Sequence, residues 1–167
     1  MELLVVIAII GLLSAIILAS LSTAKNKSND AVVQSQMVSM RSAADIYYIG
    51  AGAKSYGTAG TSCTTVGSVF ADTGSNMLNL LKATFASVGG TWPAGIFDQQ
   101  KMDCQNTSSN WSVATKLQSS GAIFCVDSTG AARTATLGGN PYTAIYGATG
   151  SGSYYAHNTS GTPSLCS

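Results

Sequence analysis

An active site needs clustered titratable or nucleophilic side chains, and this chain offers few. His157 is its single histidine, set among Tyr, Ala, Asn and Thr in a stretch rich in Gly and Ser. One histidine in a loop builds neither a triad nor a histidine metal pair. The carboxylates are Glu2, Asp30, Asp45, Asp72, Asp98, Asp103 and Asp127. None of them stand at glycosidase or calcium-loop spacing. Asp127-Ser128-Thr129-Gly130 reads as a turn after a strand, and no glycine-rich phosphate loop follows a strand. The expectation is a chain that is not an enzyme, with no catalytic residue, no metal site and no cofactor.

The four cysteines, Cys63, Cys104, Cys125 and Cys166, are the remaining reactive groups. None lies in a C-x-x-C pair, so zinc and thioredoxin-like chemistry are poorly supported. An even count in a translocated domain points to two disulfides. Three pairings are open. Cys104–Cys125 with Cys63–Cys166 is slightly favoured, because Cys166 would then tie a loop-rich tail to the domain. That pairing fails if Cys104 and Cys125 lie on strands separated by a third. Asn26, Asn106, Asn110 and Asn158 fit the N-glycosylation pattern. The pattern is common by chance in a chain this rich in Asn, Ser and Thr.

The elements that carry these residues are unevenly polar. Charged residues are 9% of the chain and apolar residues 46%, with a net charge of +1. A typical globular domain has roughly 25% charged residues. No net field attracts nucleic acid, and Lys25, Lys27, Arg41 and Lys54 fall on or just past one long helix, so no nucleic-acid binding is expected. From Leu3 to Leu21 the sequence LLVVIAIIGLLSAIILASL has no charge. As a helix it spans about 28 Å, close to the thickness of a bilayer core. A cleaved signal peptide would be shorter, with a basic start. An ordinary membrane anchor leaves Glu2 unexplained at the lip of the run, where a carboxylate needs a partner. A helix that packs against identical helices explains Glu2 and also Gly11, Ser14, Ala15 and Ala19, whose small side chains let backbones approach.

Glu2-Leu3-Leu4-Val5-Val6-Ile7-Ala8-Ile9-Ile10-Gly11 resembles the N-terminal segment of type IV pilins and of the pseudopilins of type II secretion. The resemblance is strong over about the first twenty residues and architectural beyond them. It implies that Glu2 pairs with the N-terminal amine of an adjacent subunit, with Leu3, Val6, Ile10, Gly11 and Ser14 also in subunit assembly. It implies a prepilin peptidase, an assembly ATPase and a membrane platform protein as partners. In the family pattern a few residues, the first of them a phenylalanine, precede the glutamate's neighbour. The native chain is therefore expected to carry residues before Met1 and to begin with a methylated phenylalanine. Many pilin helices carry a proline near the end of the apolar run, whereas the first proline here is Pro93. Gly11 is then the weak point by propensity, and unwinding in a filament is expected at Gly11 to Ser14.

Past Leu21 nothing stops the helix until Gly50-Ala51-Gly52. Val33, Met37, Met40, Ala44 and Tyr47 form a stripe at helical period, expected to pack on a sheet. The expected fold class is α+β, the pilin fold. A long N-terminal helix, apolar in its first half, packs through its second half on a small antiparallel sheet, and disulfides fasten the C-terminal loops. The organisation expected is 1–22 for the membrane or filament-core helix, 23–52 for the amphipathic half of the same helix, and 53–94 for a connecting loop with a short helix. The sheet is expected over 95–137 and a loop-rich region over 138–167. Ser75 is expected to cap the short helix, with Met77, Leu78, Leu80, Leu81, Phe85 and Val88 as its apolar face and Gly89-Gly90 as its stop. Strands are expected at Lys101 to Gln105, Trp111 to Gln118 and Gly121 to Asp127.

Together these features suggest a structural subunit, a major pilin. It would sit in the inner (cytoplasmic) membrane as a monomer and then join copies of itself in an extracellular helical filament. Adhesion, motility, DNA uptake and secretion all use subunits of this shape. The alternatives are a pseudopilin or minor pilin, and, in another class, a membrane-anchored cell-surface binding domain.

Overall fold

The structure is a computed structural model that describes residues 2–60, 62–92, 101–135 and 166. Helix α1 runs unbroken over Glu2–Ile49, 48 residues, about 72 Å at 1.5 Å per residue. No proline interrupts it, and hydroxyls inside it bond back to the preceding turn, as Ser20 Oγ does to the Ile16 carbonyl at 3.0 Å. Its end is closed by backbone bonds: the Gly52 amide donates to the Tyr47 carbonyl at 2.7 Å and the Lys54 amide to the Tyr48 carbonyl at 2.8 Å. These satisfy carbonyls that a helix end leaves orphaned.

The two halves of α1 live in different surroundings. From Leu3 to Leu21 every described side chain is exposed. From Asp30 onward one stripe is buried: Val33, Met37, Met40 and Ala44 are 0% exposed and Tyr47 8%. A linking segment then folds against this stripe. Its Gly57 has φ +84°, and a Cβ there would come within 2.1 Å of the Gly67 carbonyl oxygen, so glycine alone fits. Helix α2, Met77–Ser87, adds Met77, Leu81 and Phe85 to the same core, with Val88 just beyond it. Leu78 and Leu80 are only partly covered. The cap differs from the expectation. Asn76, left-handed at φ 67°, holds the N-cap position without a side-chain bond to the helix backbone. Ser75 instead donates its amide to Asp72 Oδ2 at 2.6 Å. Gly89 and Gly90 close α2, the Gly90 amide donating to the Phe85 carbonyl at 2.9 Å.

Four antiparallel strands follow in sequence order: β1 Met102–Asn106, β2 Trp111–Lys116, β3 Ile123–Asp127 and β4 Ala132–Ala135. The first three lie within a residue or two of the expected spans. The fourth has no counterpart among them, since Ala-Arg-Thr-Ala shows no apolar alternation. Register sets which residues share a face. Cys104 pairs Val113 and Val113 pairs Val126, so these three face α1 together with Met102, Trp111 and Phe124. Ala114 pairs Asp103 on one side and Cys125 on the other, and this outer face is buried as well. The fold is therefore α+β, with a long N-terminal helix on a four-stranded antiparallel sheet.

Two disulfides join the parts, and they correct the favoured pairing. Cys63 bonds Cys104, Cα–Cα 4.8 Å, and Cys125 bonds Cys166, Cα–Cα 5.8 Å. Strand β2 lies between Cys104 and Cys125. Two strand spacings are about 9.5 Å, beyond the roughly 7 Å limit for a bridge. The two cysteines also sit on opposite faces of the sheet. Cys104 instead meets the linking segment in the main core, and Cys125 meets Cys166 at the outer face. The expected assignments to 93–100 and to 136–165 fall outside the described residues.

Candidate assembly surface

The residues expected to assemble subunits are all on the first half of α1. Glu2 opens the helix; its side chain lies outside what the structure describes. Positions 2, 6, 10 and 14 follow one i+4 ridge, with Leu3 beside it and Gly11 off to one side. Leu3 is 79% exposed, Val6 53% and Ile10 58%. Ser14 is exposed too, and a Cβ at Gly11 would meet nothing within 4 Å. None of the described residues outside α1 covers the ridge. Gly11 to Ser14 are regular helix here.

The ridge is part of a wider apolar surface. Thirteen large apolar side chains between Leu3 and Leu21 are more than half exposed. By length and composition α1 is the one helix among the described residues able to cross a membrane, and none of its most apolar window is buried. Covering a half-exposed aliphatic side chain gains about 1 kcal/mol, so burying the set is worth on the order of 15 kcal/mol. That exceeds the whole stability of many domains. Water is the wrong solvent for this half of the helix.

What holds the second half in place was only partly visible in the sequence. Val33, Met37, Met40, Ala44 and Tyr47 form one buried stripe. Asp30, in the sequence one of seven scattered carboxylates, is a further tie. It is 6% exposed, and its carboxylate accepts the Gln118 amide at 2.7 Å, the Ser119 amide at 3.0 Å and the Ser119 hydroxyl. One side chain thus binds α1 to the β2–β3 turn. A signal existed: Asp30 lies one turn before Val33 on the core side. Asp127 acts alike at the β3–β4 turn, taking the Thr129 amide at 2.8 Å and, on its other oxygen, the Cys166 amide at 2.7 Å.

The remaining polar candidates separate. Burial pushes the Tyr56 phenol up, and the Asp45 charge adds to this. Burial would also raise the Asp72 carboxyl, but hydrogen bonds from Ser75 and the Gly74 amide bring it below its ordinary value. No group of three His, Cys, Asp or Glu able to hold a metal occurs among the described residues, and His157 lies outside them. Asn106 is buried and its amide nitrogen donates to the Tyr56 and Thr58 carbonyls at 3.0 and 2.9 Å, so it cannot carry a sugar in the folded chain. Lys25, Lys27 and Lys54 are exposed, while Arg41 is half-buried beside Gly130.

Comparison with protein-family models, with curated proteins and with solved structures found no match to this chain.

Proposed function

We propose that this chain is a non-enzymatic structural subunit, of the type IV pilin kind, that polymerises through the first half of α1 into an extracellular filament. The observation that carries the reading is the uncovered apolar run of Leu3–Leu21, rigidly continuous with a helix half whose core face is fully buried. Such a run needs lipid or other helices around it, and a filament core supplies the second once the monomer leaves the first. Glu2, inside such a bundle, must be paired or neutral. The N-terminal amine of a neighbouring subunit is the partner the family resemblance suggests. A prepilin peptidase, an ATPase and a platform protein would do the work of processing and extraction.

The test is mass spectrometry and electron microscopy of one fraction sheared from the cell surface. Thin fibres in which this chain dominates support the major subunit. A chain scarce among the fibres and retained in membranes refutes that reading. Its presence at trace level in fibres built of another subunit favours the minor-pilin alternative, and its absence from fibres favours an anchored surface domain.

A further inference from the structure

The second half of α1 is open on the side away from the sheet. Val32, Val38, Ile46 and Ile49 are exposed there, spaced by the small exposed residues Ser35 and Ser42. Between residues 28 and 49 the charged residues are Asp30, Arg41 and Asp45. Asp30 is buried on the core side and Arg41 half-buried, so Asp45 is the one exposed charge of this face. Asp45 and Lys27, which is also exposed, join no ion pair among the described residues. Their positions, 27 and 45, differ by eighteen residues. That is five helical turns, so they lie on one line along α1 about 27 Å apart. Leu3 and Leu21, the ends of the apolar run, have the same separation.

We propose that this outer face is a second self-association surface whose occupant is α1 of another copy of this chain, parallel and displaced by about five turns, with Lys27 of one copy paired to Asp45 of the next. The proposal rests on the filament reading and adds an axial register to it. The displacement brings Ile17, Leu18 and Leu21 of one copy level with Ser35 to Ser39 of the other, where an exposed Val38 stands between small serines. Small residues let helices approach closely, and the flanking opposite charges select the register. A parallel arrangement follows from the apolar run. Copies drawn from one bilayer face the same way, and an antiparallel pair would send their apolar halves in opposite directions.

Carbodiimide joins amines to carboxylates only where they touch. Lys27 and Asp45 of one chain are held about 27 Å apart by the helix, so a direct bond between them must be intermolecular. In fibres of the full chain, treatment and peptide mapping should recover a Lys27–Asp45 bond. Fibres that give other lysine–carboxylate bonds between copies but lack this one overturn the register and leave the filament reading standing. A chain that forms no fibres overturns both. A photoreactive benzophenone side chain placed at Leu21 should capture the peptide around Ser39; capture around Ala51 means an antiparallel pair and refutes the proposal. Lys27→Asp and Asp45→Lys should each lower the sedimented fraction about tenfold, through a lost pair and a new repulsion, and the two together should restore it. Single reversals that assemble as the parent does would sink the pairing.

Discussion

The two disulfides set up a controlled comparison, because both have a sequence separation of 41. In the chain-entropy account a bridge closing a loop of this length stabilises the fold by about 4 kcal/mol, through restriction of the unfolded chain alone. That contribution is equal for the two, so any difference in measured stability reports the folded side. Cys63 and Cys104 are 1% and 0% exposed in the main core, whereas Cys125 belongs to the small outer cluster with a partly buried Cys166. Replacing the first pair by alanine also leaves two small cavities among α1, the linking segment and β1, worth about 1 kcal/mol together. The expected losses are therefore about 5 kcal/mol for Cys63→Ala with Cys104→Ala and about 4 kcal/mol for Cys125→Ala with Cys166→Ala.

The assay is guanidinium unfolding of the full oxidised chain in mild detergent, which shields the exposed run of α1. The reporter is the fluorescence of Trp111, buried and stacked edge-on to Tyr56 at a centroid distance of 6.5 Å. Peptide mapping without reductant should first return Cys63–Cys104 and Cys125–Cys166. A Cys104–Cys125 peptide would refute the sheet register itself. A larger loss for the outer pair than for the core pair would refute the packing argument while leaving the pairing intact.

Three further outcomes are expected. Asp30→Asn keeps the shape but removes the charge that accepts three donors, so stability should fall by about 2–3 kcal/mol; a loss below about 0.5 kcal/mol in the same unfolding assay would mean the turn holds itself. Gly57→Ala combines a left-handed φ with a clash against the Gly67 carbonyl and should cost at least about 2 kcal/mol, read as a lower unfolding midpoint. The pH profile should be bounded at both ends. Tyr56, raised in the folded state, contributes stability that is present below about pH 10 and lost as pH rises through its raised value. Asp72, lowered in the folded state, contributes stability present above about pH 3.9 and lost as pH falls through its lowered value. Tyr56→Phe and Asp72→Asn should each flatten its own limb, and an unchanged limb would show that the group does not couple to folding.

Periodicity made α1, its buried stripe and three strands legible, because each pairs a long apolar pattern with one covered face. Strand β4 was not legible, since its described side chains are exposed and nothing in Ala-Arg-Thr-Ala alternates. The outer face of the sheet was misleading in the same way. Asp103, Gln105 and Ser112 alternate with apolar residues as solvent-facing positions do, yet they are buried. The disulfide pairing could not be read from spacing because it depends on strand order and on which face each cysteine occupies. Both facts appear only once β2 is placed between β1 and β3. The apolar ridge of α1 is legible for the opposite reason: none of the described residues covers it, so the raw pattern of Leu3 to Leu21 is also the final surface.

Asp30 marks where these two kinds of legibility meet. The apolar run ends at Leu21, and the first buried side chain among the described ones of α1 is Asp30. The eight residues between them, 22–29, include Lys25, Asn26, Lys27 and Asn29 and give a helical spacer of about 12 Å. The polar headgroup layer on one side of a bilayer is about 6 Å thick by the difference between total and hydrocarbon thickness. A helix whose apolar run fills the hydrocarbon would therefore carry the folded domain clear of the headgroups, with Lys25 at the outer edge of the headgroup layer and Lys27 just beyond it. The Asp30 carboxylate then fixes the β2–β3 turn at the domain's membrane-proximal edge. Loosening that turn should leave the spanning run untouched while freeing the domain to tilt on its stalk, so an assembly defect in Asp30→Asn with unchanged membrane insertion would assign to the domain's orientation, and not to the apolar helix alone, a share in bringing subunits into register.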